Sequence, residues 1–233
     1  LDAVALAMIR VAQIAIDLPE VAELDINPLL ADADGIVALD ARVRVAKPML
    51  PGSERLAIRP YPAELAEDVA DRAGRKYRLR PIRPEDEPAL QHGFAKLSAQ
   101  DIRMRFFAPL KTLDHPMAAR LTQIDYDREM AFVLEAPGDE GKPELYGVGR
   151  LMADPDNARA EFALIVRSDV AGKGLGGILL DRIVKHARRR GIGQVWGDVL
   201  SENAAMLDLC RRLGFTVALS PEDPATTRAT ISP

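Results

Sequence analysis

The chain has 233 residues, of which 48% are hydrophobic and 28% charged. That is the make-up of a soluble globular protein with room for one or two cored domains, and it argues against disordered, collagen-like and coiled-coil architectures. The formal charge is -4 and the pI about 5.5, so the chain lacks the overall basic charge by which a duplex nucleic-acid binder is recognised. A single cysteine, Cys210, rules out an intrachain disulfide and fits a reducing, cytoplasmic compartment. No apolar run reaches the roughly 18 to 20 residues of a membrane span. The richest, Val4 to Ile16, is broken by Arg10 and Gln13 and has no basic front. The sequence begins at Leu1 rather than Met, as a fragment or processed chain would.

Residues 1–16 carry Val4, Leu6, Ala7, Ile9, Val11, Ile14 and Ala15 at close to helical spacing, with Pro19 beyond as a breaker. Two short apolar runs follow, Val21 to Ile26 and Ile36 to Leu39, punctuated by Asn27-Pro28 and Asp34-Gly35. They predict a two-stranded unit ending near Val45. Residues 1–50 hold eight acids against four Lys or Arg, so this piece carries the whole net charge. Pro48, Pro51, Gly52, Pro60 and Pro62 then fall within sixteen residues, the signature of an extended linker. A short helix is predicted over 63–73. The resulting division is 1–50, a linker with a short helix at 51–75, and a main domain at 76–233.

From residue 76 the predicted elements alternate irregularly. Strands are read at Tyr77 to Ile82, Met130 to Glu135, Leu145 to Met152, Ala160 to Val166, Gln194 to Leu200 and Phe215 to Leu219. Helices are read from Pro84 to Lys96, around Asp101 to Phe107, at Ala118 to Gln123, from the glycine loop to about Arg190, and from Asn203 to Leu213. Several strands are consecutive, so the class is α+β rather than a repeating βαβ layout. Trp196, inside a strand, is assigned to the core.

The chemistry concentrates at Gly172-Lys173-Gly174-Leu175-Gly176-Gly177, between the strand Ala160 to Val166 and an amphipathic helix. Glycines allow positive φ and close backbone approach, and the free N–H groups of a helix start attract anions, phosphates above all. Gly172, Gly174 and Gly177 satisfy the dinucleotide pattern G-x-G-x-x-G, and Asp198 lies about 20 residues on, where a ribose-binding acid would stand. Against that reading, Arg167 to Ala171 separate the strand from the first glycine, and no second βαβ half follows. Lys173 is not followed by the G-K-[ST] ending of a P-loop. The three histidines, His92, His115 and His186, are scattered and form no metal pattern with one cysteine. Lys185, Arg188, Arg189 and Arg190 crowd a helix end, where cations complement the dipole.

The strand, the glycine loop and the later Asn203…Leu213-Gly214-Phe215 together resemble the GNAT acyltransferases over about residues 76–219. The resemblance implies a mixed, mostly antiparallel sheet flanked by helices, with acetyl-CoA as cosubstrate. It implies a pyrophosphate held by the backbone of Ala171, Gly172, Lys173, Gly174, Leu175, Gly176 and Gly177, and a pantetheine arm bonded by Leu164 to Val166 and faced by Asn203. The family pattern has Gln or Arg where this chain has Ala171; that removes a side chain and leaves the backbone cradle. The strand is expected to splay from its neighbour beyond Leu164.

Acetyl transfer to an amine needs a base, because an ammonium with a pKa of about 10.4 is protonated at neutral pH. Glu161, a carboxylate within an apolar strand, is the expected general base. Glu129, Glu135 and Glu202 are lesser candidates, and Asn203 doubles as a helix N-cap. Family members often carry a Tyr general acid where this chain has Cys210; Cys210 is thus a weak candidate acid and otherwise a small core residue. Arg103 and Arg105 are assigned to the acceptor side.

Glu23 to Leu29 with Gly35 to Arg42 resembles the end of an ATP-grasp domain of the NDP-forming acyl-CoA synthetases, Asp25 and Asn27 matching an acid-x-Asn-Pro segment linked there to magnesium and nucleotide. About 50 residues cannot enclose ATP, so no ATP or metal site is expected. The combination is similar to bacterial protein lysine acetyltransferases, which implies a protein substrate, an acyl- or acetyl-CoA synthetase bearing the target lysine. Neither nucleic acid nor membrane is expected as a partner. Acetylation of a small amine, or acyl-CoA sensing without catalysis, are the alternatives.

Overall fold

The computed structural model describes residues 2–33, 35–52, 56, 59–138 and 141–233. They form two compact units, one ending at Pro60 and one running from Tyr61 to Pro233.

In the first unit, α1 (Asp2–Asp17) is followed by β1 (Val21–Ile26), β2 (Leu29–Ala31), β3 (Ile36–Ala38) and β4 (Ala41–Val45). The expected two-stranded unit is in fact two antiparallel pairs, β2–β3 nested between β1 and β4. The Asp32 carboxylate accepts the Gly35 N–H at 3.0 Å, and Gly35 takes φ +144°, which closes the inner hairpin. The extra strands are only three residues long, too short to register as periodic patterns.

The second unit is an eight-stranded sheet. Its strands are β5 (Glu67–Ala70), β6 (Lys76–Pro81), β7 (Glu129–Pro137), β8 (Pro143–Ala153), β9 (Arg159–Val166), β10 (Gln194–Leu200), β11 (Thr216–Leu219) and β12 (Thr226–Ile231). Their spatial order is β11-β12-β10-β9-β8-β7-β6-β5, antiparallel except between β9 and β10. Helices α2 (Glu87–Ala95), α3 (Ala99–Phe106) and α4 (His115–Thr122) lie between β6 and β7 in the chain. Helix α5 (Leu175–Arg189) joins β9 to β10, and α6 (Ala204–Arg212) joins β10 to β11. The α5 side chains Leu179, Leu180, Ile183 and Ala187 are fully buried in one core with Phe132, Leu134 and Phe162. A second cluster, Ile82, Ala131, Val133 and Leu145, receives Leu90 of α2, and a third joins Phe94, Ile102 and Ala118 of α2, α3 and α4. Among the described residues no helix is long and apolar enough to cross a membrane.

Three expectations are corrected. The helix expected over 63–73 is a 3-10 turn at Ala63–Leu65 followed by β5. Its Ala- and Glu-rich composition yields to pairing with β6. The Asp71 carboxylate accepts the N–H groups of Ala73 and Arg75, and Gly74 takes φ +85°, so the segment turns back instead of coiling. Strand β12 was missed because Thr226, Thr227 and Thr230 do not read as an apolar run; it is nevertheless inserted between β10 and β11, with Ala229 fully buried. Trp196 is half-buried rather than core, with the Arg228 guanidinium 4.6 Å above its ring.

The feature that shapes the molecule is the interruption of the β9–β10 pairing. The parallel ladder holds only at Arg159 to Glu161 against Gln194 to Trp196. Beyond it, β9 stays paired to β8 out to Val166, and β10 stays paired to β12 out to Leu200. The two strands therefore part from Phe162 onward, three residues earlier than the expected parting beyond Leu164. Phe162 fills the fork. A Cβ on Gly197 would stand 2.8 Å from its ring and 2.9 Å from its carbonyl oxygen, and the ring packs edge-on against Phe215, centroids 5.3 Å apart. Replacing Gly197 with Ala is expected to cost about 1–3 kcal/mol by overpacking, seen as a melting temperature lowered by several degrees. An unchanged melting temperature contradicts this account of the fork.

Candidate functional site

The parted strands leave a groove of about 480 Å³ with β9 from Glu161 to Val166 on one side and Asp198 and Val199 of β10 on the other. Residues of α3 and the start of α6, Arg105 and Asn203 among them, complete its walls. A capping box sets the start of α3: Ser98 Oγ accepts the Asp101 N–H, and the Asp101 carboxylate accepts the Ser98 N–H, both at 3.1 Å. Its other end is Phe107 at φ +57°, a left-handed conformation uncommon for a bulky residue, with the side chain half exposed at the groove.

At one end of β9 lies the glycine loop. After the 3-10 turn Ser168–Val170, Gly172 takes φ +76° and Gly174 φ +95°, and α5 begins without a side-chain cap. The Arg72 N–H donates to the Lys173 carbonyl at 2.9 Å, tying the β5–β6 turn to the loop. A Cβ on Gly174 would meet the Arg72 side chain at 3.2 Å. Not every predicted loop residue offers a donor. The Ala171 N–H is spent on Ser168 and the Gly177 N–H on Gly174. Among the described residues, the N–H groups of Gly172, Lys173, Gly174, Leu175 and Gly176 find no acceptor. Five free donors at the positive end of a fifteen-residue helix make a cradle for a phosphate group. The Leu175 side chain is buried and anchors the helix start.

The alternation of β9 sorts its side chains. Ala160, Phe162, Leu164 and Val166 belong to the core packed against α5, and Glu161, Ala163 and Ile165 face the other way. Leu164 and Val166 line the groove along the edge of β9 that β10 has left. Glu161 is half-buried, lines the groove and, among the described residues, makes no hydrogen bond or ion pair. Burial pushes its carboxyl above the ordinary glutamate range, Arg105 pulls it back, Asp198 raises it further and Arg228 lowers it. The lesser candidates are all engaged: Glu129 with Arg150, Glu135 with Arg80 and Glu202 with Arg103. Asp198, the acid the dinucleotide pattern requires, is held by Arg228 at 2.9 and 2.7 Å.

Asn203 is the α6 N-cap, its side chain accepting the Met206 N–H at 3.1 Å, and it lines the groove. Cys210 is not brought to the groove. It is fully buried in the core, and burial pushes its thiol up to about 11, so its position does not serve a proton donor there. Arg103 reaches the rim through Glu202, whereas Arg105 lies deeper, in the groove wall. Gly197 and Phe107 were not singled out in the sequence; a glycine inside a strand was the available signal for a close approach, and Phe107 gave none. Among the described residues no group of His, Cys, Asp or Glu is placed to hold a metal ion.

A family model described as acetyltransferase (GNAT) domain matches residues 76–216, and one described as ATP-grasp domain matches residues 1–45. An acetyltransferase of Pseudomonas aeruginosa is 32% identical over 150 residues, which cover 64% of this chain and 80% of that protein. The acetyltransferase Pat of Mycolicibacterium smegmatis is 28% identical over 178 residues, covering 75% of this chain and 49% of its own length. The crystal structure of the GNAT domain of S. lividans PAT superposes with a TM-score of 0.67 at 26% identity, covering 75% of this chain and all of that one.

Proposed function

The chain belongs to the GNAT acetyltransferase family, and from that premise we propose that it transfers the acetyl group of acetyl-CoA to the Nε amine of a lysine on a protein substrate of the acyl-CoA synthetase class. The observation that carries the reading is the groove between β9 and β10 with the carboxylate of Glu161, unpaired among the described residues, along its wall, and beside it the free loop donors at the start of α5, where Gly176 lies against Leu164 and Val166 of that wall. The Pat and PAT relatives, together with the ATP-grasp segment at residues 1–45, favour a protein acceptor over a small amine.

In this reading the N–H groups of Gly172 to Gly176 and the α5 dipole hold the pyrophosphate of acetyl-CoA. The free edge of β9 at Leu164 to Val166 bonds the pantetheine arm, and Asn203 faces it. When bound, acetyl-CoA supplies a thioester carbonyl that an amine can attack. Glu161 takes the proton of the incoming ammonium, directly or through one water, so that the neutral amine is presented. Burial raises its pKa toward the working pH, opposed by Arg105 and Arg228. Backbone N–H groups on the free edge of β9 stabilise the negative charge that develops on the carbonyl oxygen. The departing thiolate is protonated by solvent, since Cys210 lies in the core.

Glu161→Gln is expected to lower kcat about 10² to 10⁴-fold while leaving acetyl-CoA affinity little changed. In the native enzyme kcat/KM rises with pH through a limb set by the raised Glu161 pKa, and that limb is lost in the variant. Full activity in Glu161→Gln rejects the base assignment. Gly174→Val places a side chain against Arg72 at a φ that branched residues do not adopt, and is expected to abolish acetyl-CoA binding in a calorimetric titration. Undiminished affinity rejects the placement of the pyrophosphate.

A further inference from the structure

Among the described residues, the buried arginines of the second unit are paired. Arg80 bonds Asp86 at 2.7 Å and also contacts Glu135. Arg150 meets Glu129 at 3.3 Å, and Arg167 meets Glu144 at 2.6 Å and Asp169 at 2.7 Å. Arg105, half-buried in the groove wall, has no such partner among them. It is deep enough that burial lowers its pKa, and Glu161 is the carboxylate that opposes this. Among the described residues its guanidinium has no hydrogen bond and no ion pair; it rests 4.9 Å from the centroid of the Phe106 ring. Arg150 stands near enough to add like charge.

Its position gives this meaning. Arg105 lines the groove and also a second, apolar cavity of about 60 Å³ between α2–α4 and the sheet. That cavity is walled by Leu90, Phe94, Leu113 and Leu121, and Ala163 and Ile165 of β9 border both spaces. The arginine thus sits at their junction, on the face of β9 that carries Glu161. A half-buried guanidinium with no anion on its donors is incompletely compensated, and its planar fork suits a carboxylate.

We propose that Arg105 forms a carboxylate-binding subsite beside the acyl-transfer position. The carboxylate is carried either by the acyl group of a dicarboxylic acyl-CoA, its methylenes in the apolar cavity, or by an acidic residue next to the acceptor lysine. This rests on the acyl-transfer reading above. Under that reading Glu161 becomes neutral on taking the acceptor proton, and the ligand carboxylate then supplies the charge that Arg105 loses.

Two affinity ratios test it, in the native protein and in Arg105→Gln and Arg105→Lys. The first compares succinyl-CoA with butyryl-CoA, equal in chain length and differing in the terminal carboxylate. The second compares, in the presence of CoA, lysine peptides flanked by Glu with those flanked by Gln. One ratio is expected to favour the carboxylate by about ten- to a hundredfold in the native protein, to fall to near unity in Arg105→Gln and to be partly restored in Arg105→Lys. The ratio that moves identifies the source. Both ratios near unity in the native protein, or a preference that survives Arg105→Gln, overturns the proposal. Retained acetyl-CoA binding establishes that the variants are folded. General harm to the groove lowers both members of a pair alike and leaves their ratio unchanged. Failure of the base assignment is seen separately, as full activity in Glu161→Gln.

Discussion

The candidate site of the second unit depends on one broken ladder. A sheet whose strands all pair presents no backbone groups to a ligand except at its edges. Here β9 and β10 begin as neighbours and then part in the middle of the sheet. The Phe162 ring and carbonyl occupy the space a side chain at Gly197 would need. Each strand keeps its other partner, β8 or β12, on the side away from the opening. An internal gap of this kind offers two rows of unsatisfied polar groups in a low-dielectric setting, where a hydrogen bond to a ligand counts for more than at an exposed edge. The helix that follows β9 starts beside the gap, and its free N–H groups extend the same set of donors.

Charge is distributed to match. The acids on or near the groove are mostly satisfied within the protein: Asp198 by Arg228, Glu202 by Arg103, and Asp101 by Ser98. Among the described residues Glu161 is left without a hydrogen bond or ion pair, and Arg105 likewise. Two half-buried groups of opposite sign that influence each other without bonding are costly to stability. They are the kind of arrangement that a reacting ligand completes. The contrast with Arg80 of β6, doubly bonded by Asp86 and Glu135 and separated from β9 by β7 and β8, separates structural ion pairing from groups held ready for a substrate.

Much of this was legible in the sequence, and for identifiable reasons. The glycine loop, the strand before it and the helix after it are local features with strong signatures, and their positions matched to within a residue or two. The α+β class followed from the run of consecutive strands. What local reading missed depended on distant partners. Strand β12 is rich in threonine and is placed by β10 and β11 on either side. The segment 67–70 has helix-compatible composition, but β6 recruits it. Trp196 read as core because an aromatic in a strand commonly is, yet Arg228 from β12 covers it instead. The free status of Glu161 among so many paired carboxylates is a property of the folded set, and no spacing in the chain encodes it.

The central claim is that the gap between β9 and β10 with its glycine loop is an acyl-CoA site. The most direct test is thermal stability with acetyl-CoA, with NAD and ATP as controls. A ligand present at 100 times its Kd stabilises by about 2.7 kcal/mol, which is readily seen as a rise in melting temperature. The account predicts that rise with acetyl-CoA alone. A rise with NAD alone would contradict it, returning the glycine loop to a dinucleotide reading and making Asp198 rather than Glu161 the residue of interest.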